Sequence, residues 1–185
     1  MLHFWNTRSR ALEPFTPLRP SQVGMYTCGP TVYNTVTLGN WRAFLFDDIL
    51  ARSLRFLGYT VTHVMNITDV GHPAGDVDEG EDKMEREAKH RGMNTWELAR
   101  ALEAEFFAGM EPLHILRPTV CPRATEHIQE QIALIQALEA KGHTYRISDG
   151  IYFDTATFPA YGALSGQDLA QKSAGARVEM NPEKR

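Results

Sequence analysis

Hydrophobic and polar positions predict strand, helix and strand in succession over the first part of the chain. Residues 23–27 form a short apolar run, which predicts a strand. Apolar residues at helical spacing then predict a helix over residues 41–57, and Gly58 should end it. Residues 59–68 are β-branched and mostly apolar, as is typical of a buried strand. This order predicts a right-handed βαβ unit with two parallel strands.

The same pattern predicts a hairpin before this unit, and helices and a second hairpin after it. Residues 3–15 should be extended or form a hairpin with its turn at residues 7–10. The later predicted elements are a charged helix over 81–91, a helix from the Asn94 cap to about Met110, a helix over 123–141 with one apolar stripe, and a hairpin of residues 144–147 and 151–154. The expected fold class is therefore α/β.

Two polar, irregular segments follow the predicted parallel strands. Residues 28–31 come directly after the first strand, and residues 66–69 close the second. Ligands bind beyond the carboxyl ends of parallel strands, so both segments should face one crevice. The start of the following helix adds free N–H groups and the positive end of a helix dipole. The sequence therefore predicts an anion-binding crevice at this edge.

Composition limits the classes of protein that remain. At 185 residues, with 43% hydrophobic content, the chain should form one domain, or one domain with a small appendage. A net charge of −4 excludes a strongly basic surface, so a nucleic acid would need a local patch. No apolar run is long enough to span a bilayer, and the first residues lack the plan of a signal peptide. Two cysteines are too few for a disulfide framework, so we expect a cytoplasmic protein with no membrane partner.

Cys28 has three interpretations on the residues alone. It can be a metal ligand, a nucleophile or a small buried hydrophobic residue. Zinc needs three or four protein ligands, and no second cysteine lies within ligand spacing. Burial is therefore the favoured interpretation, although the flanking residues Gly29 and Pro30 place the thiol at the edge of a loop.

The start of the predicted helix is the second candidate site. Residues 37–40 can bind phosphate, or can form an ordinary turn in which Gly39 gives backbone freedom and Asn40 is the N-cap. The two interpretations are compatible with each other. There is no Walker loop, no G-x-S-x-G and no G-x-G-x-x-G motif.

Acidic residues give two weaker candidates. The loop at residues 72–79 contains one histidine and three carboxylates that could bind a divalent cation, but a solvated loop is the favoured interpretation. Asp47 and Asp48 are adjacent on the predicted helix, where neighbouring side chains do not face each other. We therefore expect this pair to serve surface and capping roles.

Longer motifs resemble a known family along essentially the whole chain. The matching segments, in chain order, are Phe4-Trp-Asn-Thr7, Gly24-Met-Tyr-Thr-Cys-Gly-Pro-Thr-Val-Tyr33, Arg52-Ser-Leu-Arg-Phe-Leu-Gly-Tyr59, Asn66-Ile-Thr-Asp-Val-Gly-His72, Asp78-Glu-Gly-Glu-Asp-Lys-Met84, Leu116-Arg-Pro, Pro122-Arg-Ala-Thr-Glu-His-Ile128, Gly150-Ile-Tyr-Phe-Asp154, Tyr161-Gly-Ala-Leu-Ser165 and Ala174-Gly-Ala-Arg-Val178. In these segments the chain resembles the N-terminal portion of the cysteinyl-tRNA synthetases, which are class I aminoacyl-tRNA synthetases.

The resemblance implies a fold and a reaction. Residues 1–70 would be the first half of a Rossmann-like catalytic domain, and residues 71–185 a connective segment that is mainly helical with a β-hairpin. The family activates cysteine with ATP to cysteinyl-adenylate and then esterifies its tRNA. ATP, cysteine and tRNA are therefore the expected ligands, and Zn²⁺, which holds the substrate thiolate, is the expected metal.

The resemblance also assigns site residues. The family's H-I-G-H signature falls at residues 37–40, which makes Thr37 and Asn40 a degenerate catalytic motif. The ATP-binding positions are Gly29, Pro30, Thr37, Leu38, Gly39 and Asn40. The substrate-binding positions are Cys28, Gly29, Thr31 and Thr68, and Cys28 also matches the first zinc ligand.

The chain departs from the family pattern at several points, and these differences change the function that we expect. Thr37 can donate a hydrogen bond but lacks the charge of the family's histidine, which should weaken transition-state stabilisation. The family's other three zinc ligands, its second Rossmann half and its anticodon-binding helices match no part of this chain. We therefore expect a truncated or split cysteine–tRNA ligase that is inactive alone, completed by a second polypeptide or by self-association. The alternatives are a stand-alone paralogue that binds nucleotides or a partner without ligase activity, and a ligase that joins cysteine to a small amine.

Overall fold

The computed structural model describes residues 2–71, 83–166 and 183–184. The strands are β1 His3–Asn6, β2 Ala11–Pro14, β3 Gln22–Thr27, β4 Thr60–Met65, β5 Thr144–Ile147 and β6 Gly150–Phe153. The α-helices are α1 Leu38–Phe56, α2 Lys83–Arg91, α3 Thr95–Met110 and α4 Ile128–Ala140. The candidate cation loop at residues 72–79 lies outside the described residues.

The chain packs as two compact units. Within the described residues, the hairpin unit comprises 2–16, 129–166 and 183–184, and the central unit comprises 17–71 and 83–128. The hairpin unit contains two antiparallel strand pairs, β1 with β2 and β5 with β6. The hairpin of β5 and β6 is confirmed, and for residues 3–15 the hairpin is the one of the two predicted alternatives that forms.

The central unit contains the predicted βαβ arrangement. β3 and β4 are parallel and in register from Gln22 opposite Thr60 to Thr27 opposite Met65. α1 connects them and ends where Gly58 takes a positive φ of 89°. This strand pair and its crossover helix confirm the α/β class, and they place the end of β3 beside the start of α1.

The start of α1 differs from the prediction. The helix begins at Leu38, and Thr37 is its N-cap because the Thr37 side chain accepts a hydrogen bond from the Asn40 backbone N–H at 3.4 Å. The assignment of Asn40 as N-cap was wrong, since Asn40 already lies in the first turn. Threonine and asparagine are both good caps, so residue type alone does not choose between them.

α2 and α3 share one hydrophobic core with the βαβ unit. The buried residues of that core are Val32, Phe44, Met65, Ile67, Met84, Ala88, Leu98, Ala99, Leu102, Phe106, Met110 and Ile115. α3 starts at the predicted Asn94, where Asn94 and Glu97 form a reciprocal capping box. This core therefore contains residues from both sides of residue 70. The division at that residue into a catalytic half and a connective segment stays a prediction.

Asp48 contradicts the surface interpretation of the acidic pair. It is only 4% exposed and shares the inward face of α1 with Phe44 and Ala51. Its carboxylate accepts from the Leu116 backbone N–H at 3.1 Å and from Arg52 Nε at 2.6 Å. The helical spacing from Phe44 turns this carboxylate inward, and these two donors satisfy it there.

α4 has its apolar stripe but buries none of its residues. Ile132, Leu134 and Ile135 are 41%, 63% and 42% exposed. The predicted helix over residues 123–141 is thus confirmed as a 3₁₀ turn at Ala124–His127 followed by α4, without the buried face that the stripe suggested. None of the helices in the described part of the chain is long and apolar enough to cross a membrane.

Gly109 supplies a test of the aromatic packing on α3. The Trp41 ring stacks on Phe106 at 5.5 Å and meets Phe44 edge-on at 5.8 Å, so it cannot easily move. A Cβ at Gly109 would lie 2.5 Å from Trp41 Cζ2. We expect Gly109→Ala to destabilise the fold by about 1 kcal/mol, because overpacking outweighs the gain in helix propensity. Urea unfolding measures this change.

Gly39→Ala is the matched control. A Cβ there meets nothing closer than Thr37 Oγ1 at 3.8 Å, so the same change in a helix should be neutral or slightly stabilising. In a double mutant, Trp41→Phe should relieve most of the Gly109→Ala penalty. Equal unfolding midpoints for the Gly109 and Gly39 variants would contradict the packing argument.

Candidate active site

A cleft opens between the loop after β3 and the start of α1. Its volume is about 210 Å³. It is lined by Gly29, Pro30, Thr31, Tyr33, Asn34, Thr35, Val36, Thr37, Asn40 and Phe44. Five predicted site residues are therefore brought together here. The predicted residues Leu38 and Gly39 lie in the adjacent first turn of α1 but do not line the cleft.

The loop after β3 is held to the segment after β4 by backbone hydrogen bonds. The Thr68 N–H donates to the Pro30 carbonyl at 3.0 Å, and the Val32 N–H donates to the Thr68 carbonyl at 3.0 Å. These bonds make Thr31 and Thr68 partners in a parallel bridge. The two threonines predicted to bind substrate are thus adjacent, although only Thr31 lines the cleft.

Gly29 occupies a position that excludes any side chain. A Cβ at Gly29 would lie 1.8 Å from the Asn66 carbonyl oxygen and 2.8 Å from Met65 Cγ. The Gly29 N–H donates to Asn66 Oδ1 at 3.1 Å. Gly29 therefore allows its loop to lie close to the backbone at Asn66, and its N–H already has an acceptor within the protein.

Thr37 and Asn40 form a neutral polar pair at the mouth of the cleft. The Thr37 hydroxyl donates to Asn40 Oδ1 at 2.6 Å, and both side chains are exposed. The first N–H groups of an α-helix have no partner inside the helix, and the helix dipole adds partial positive charge there. None of the described residues that line the cleft carries a positive charge. An anion here would be held by dipoles and N–H groups alone.

Cys28 is exposed, so the favoured interpretation as a buried hydrophobic residue was wrong. It directly follows the last residue of β3. Within residues 2–71, 83–166 and 183–184, no three metal-ligating side chains lie close enough to hold an ion. A single thiolate does not fit zinc, which takes three or four protein ligands.

Sequence reasoning missed a polar contact beside Cys28. Thr27 Oγ1 lies 2.9 Å from His63 Nε2, and His63 is 3% exposed. Burial, followed by the charge of Arg55, lowers the pKa of His63 from its ordinary value. Strand alternation could have found it, because His63 shares the inward face of β4 with Val61 and Met65.

Comparison with known proteins decides the family. Residues 14–185 match the family described as tRNA synthetases class I (C) catalytic domain. The chain belongs to this family. The resemblance seen in the sequence motifs is thereby confirmed, and the described elements from β3 to β6 lie within the residues that match the class I tRNA synthetase catalytic domain.

Relatives of this class I synthetase chain match it from end to end. It is 48% identical over 184 residues to the cysteine–tRNA ligase of Treponema denticola, covering 100% of this chain and 37% of that ligase. It is 49% identical over 179 residues to cysteine–tRNA ligase 1 of Burkholderia lata, covering 97% of this chain and 38% of that ligase. The chain therefore spans little more than a third of these curated relatives.

A solved structure supports the synthetase fold. The LeuRS of Agrobacterium radiobacter K84, in a ternary complex with tRNA and LeuAMS, superposes with a TM-score of 0.56. The match is 20% identical and covers 71% of this chain and 16% of that one. At this identity the likeness concerns the fold alone.

The two cysteines should differ in reactivity. Cys28 is exposed, whereas Cys121 is half-buried and its burial raises the pKa of its thiol. Less thiolate at neutral pH slows nucleophilic attack, so we expect iodoacetamide to alkylate Cys28 faster by on the order of tenfold. Mass spectrometry of the two cysteine peptides over time measures both rates in one sample. Equal rates, or faster labelling of Cys121, would show that Cys28 is not exposed in solution.

The N-cap at Thr37 can be tested by stability. Thr37→Ala removes the hydroxyl that caps α1, at a cost of about 1 kcal/mol in the free energy of unfolding. Thr37→Ser keeps a hydroxyl at the same position and should keep most of that stability. Chemical denaturation compares the two variants. Identical losses for alanine and serine would mean that the hydroxyl does not cap the helix.

Proposed function

We propose that this chain supplies one half of the ATP- and cysteine-binding site of a cysteine–tRNA ligase. In the first step of that reaction the cysteine carboxylate attacks the α-phosphorus of ATP and pyrophosphate leaves. In the second, a terminal ribose hydroxyl of tRNA takes the cysteinyl group and AMP leaves. One observation carries the proposal: in a class I synthetase chain, the loop after β3 and the start of α1 converge on one cleft, and Thr68 is paired with that loop.

In this proposal the described residues of the cleft bind and orient ATP and cysteine, and they supply no positive charge. The positive end of the α1 dipole favours ATP phosphate oxygens, and Thr37 and Asn40 add polar contacts at the mouth of the cleft. Thr31 and Thr68 supply hydroxyls for the cysteine, beside the exposed Cys28. No step is assigned to zinc, because the described donor set does not fit it.

The proposal extends to organisation and location. Residues 1–70 act as the first half of a Rossmann-like catalytic domain, and residues 71–185 act as a connective segment. The parallel pairing of β3 with β4 supports this assignment. The remaining half of the site comes from a second polypeptide or a second copy, tRNA is the acceptor, and the protein works in the cytoplasm.

A second candidate function has its own supporting observation. The described lining of the cleft contains no cation, and Thr37 stands where the family signature has a histidine. Both features favour a nucleotide- or partner-binding module that has no ligase activity. Such a module would bind ATP but would not couple it to cysteine.

Cysteine-dependent ATP–pyrophosphate exchange separates these functions. The chain is assayed alone and together with the part of the Treponema denticola ligase that lies beyond the matched span, with zinc present. We expect no exchange by the chain alone, because its cleft lacks positive charge to offset the phosphates, and exchange by the mixture. Serine in place of cysteine should give no exchange in either sample.

Two cysteine variants provide matched controls for that assay. Cys28→Ser should lower exchange by the mixture, because the proposal assigns Cys28 to cysteine binding, whereas Cys121→Ser, which changes a half-buried thiol, should not. Neither thiol lines the cleft. Exchange by the chain alone would overturn the expectation that the chain is inactive alone, and would mean that a second copy completes the site. ATP binding by calorimetry without exchange in the mixture would favour the binding module instead.

A further inference from the structure

The side chain of Asn66 connects the two segments that flank the proposed cysteine site. Asn66 Oδ1 accepts from the Gly29 N–H at 3.1 Å and from the Tyr26 hydroxyl at 3.0 Å. Asn66 Nδ2 donates to Thr68 Oγ1 at 2.8 Å. One carboxamide thus contacts the residue after Cys28 and the hydroxyl of Thr68 at the same time.

Hydrogen-bond chemistry fixes the orientation of this carboxamide. A backbone N–H can only donate, so the group facing Gly29 must be the oxygen, and the NH₂ group must face Thr68. Aspartate would keep the acceptor for Gly29 but would lose the donor to Thr68. Alanine would lose both, and glutamine would place its amide one methylene further from the backbone.

Asn66 also sets the direction of the Thr68 hydroxyl proton. Since the Asn66 NH₂ group occupies one acceptor direction of Thr68 Oγ1, the Thr68 proton must point to a different acceptor. The close fit of Gly29 against the Asn66 carbonyl, where a Cβ would lie 1.8 Å away, leaves the loop little room to shift. A shift of the segment that carries Asn66 and Thr68 would therefore also shift the loop that carries Gly29.

We infer that Asn66 is a positioning residue for cysteine, which fixes the loop carrying Cys28 and orients the Thr68 hydroxyl toward the substrate. This inference rests on the proposed function. Asn66 acts through Gly29 and Thr68 and not by contact with the reacting atoms. It thereby adds to the proposed site a residue that does not line the cleft.

Amide hydrogen exchange tests the loop without any catalytic assay. Asn66→Ala should speed exchange of the Gly29 amide by about tenfold or more, because it removes the acceptor of that N–H. Asn66→Asp should keep the amide protected, since a carboxylate oxygen can accept the same bond. Thermal melts confirm that both variants are folded, and Asn6→Ala, in the hairpin unit, is the asparagine control. Unchanged Gly29 exchange in folded Asn66→Ala would overturn the role of Asn66 in the loop.

Kinetics of the reconstituted mixture test the orientation of Thr68. Asn66→Asp should raise KM for cysteine by about tenfold, the loss of one well-placed hydrogen bond, with KM for ATP within about twofold of its starting value. Tyr26→Phe removes only an exposed hydroxyl bond to the same oxygen and should change neither value beyond about twofold. A parallel rise in both KM values would indicate a merely structural role and overturn the inference.

The two arms separate failure of the inference from failure of the proposed function. If the unmodified mixture shows no exchange of pyrophosphate, the proposed function and the cysteine role of Asn66 fall together. The Gly29 amide would still decide whether Asn66 holds the loop. If exchange is present and the Asn66→Asp variant keeps its KM for cysteine, only the inference falls.

Discussion

Parallel pairing between β3 and β4 is the constraint on which the rest of the central unit depends. The pairing does not stop where the strands end, because Pro30 and Val32 continue it with Thr68. Backbone groups that would otherwise need water or a side chain are satisfied there by one another. The start of the loop after β3 is thereby given one conformation. The cleft forms because that fixed loop meets the capped start of a helix.

The position of that helix is set at a distance from the cleft. Trp41, Phe44 and Phe106 form an aromatic cluster between α1 and α3, and Asp48 ties the middle of α1 to the backbone at Leu116. Residues far along the chain thus hold α1 in place. A functional boundary at residue 70 would divide roles within a shared core, because residues of α1, β4, α2 and α3 lie in one hydrophobic cluster.

Local chemistry made part of this structure predictable from sequence. The capping box at Asn94 and Glu97, the stop at Gly58 and the hairpin of β5 and β6 depend on residues a few positions apart, and all were predicted. The N-cap at Thr37 was missed because two acceptable caps stand three residues apart. Helical spacing from Phe44 indicates the inward face for Asp48, but its donor at Leu116 lies in a segment distant in sequence. The exposure of Cys28 follows from no local pattern. The same is true of Asn66, whose partners Tyr26 and Gly29 lie on β3 and in the loop after it.

The neutral lining of the cleft has a consequence for how a nucleotide would arrive. Long-range attraction of a polyanion comes from net charge, while helix dipoles act only over the first turn. The described lining offers dipoles without a cation, and the whole chain carries a net charge of −4. ATP would therefore reach this cleft by unsteered diffusion, against a weak repulsion, and would be recognised only on contact. Any positive field that gathers the nucleotide would therefore have to come from outside the described lining of the cleft.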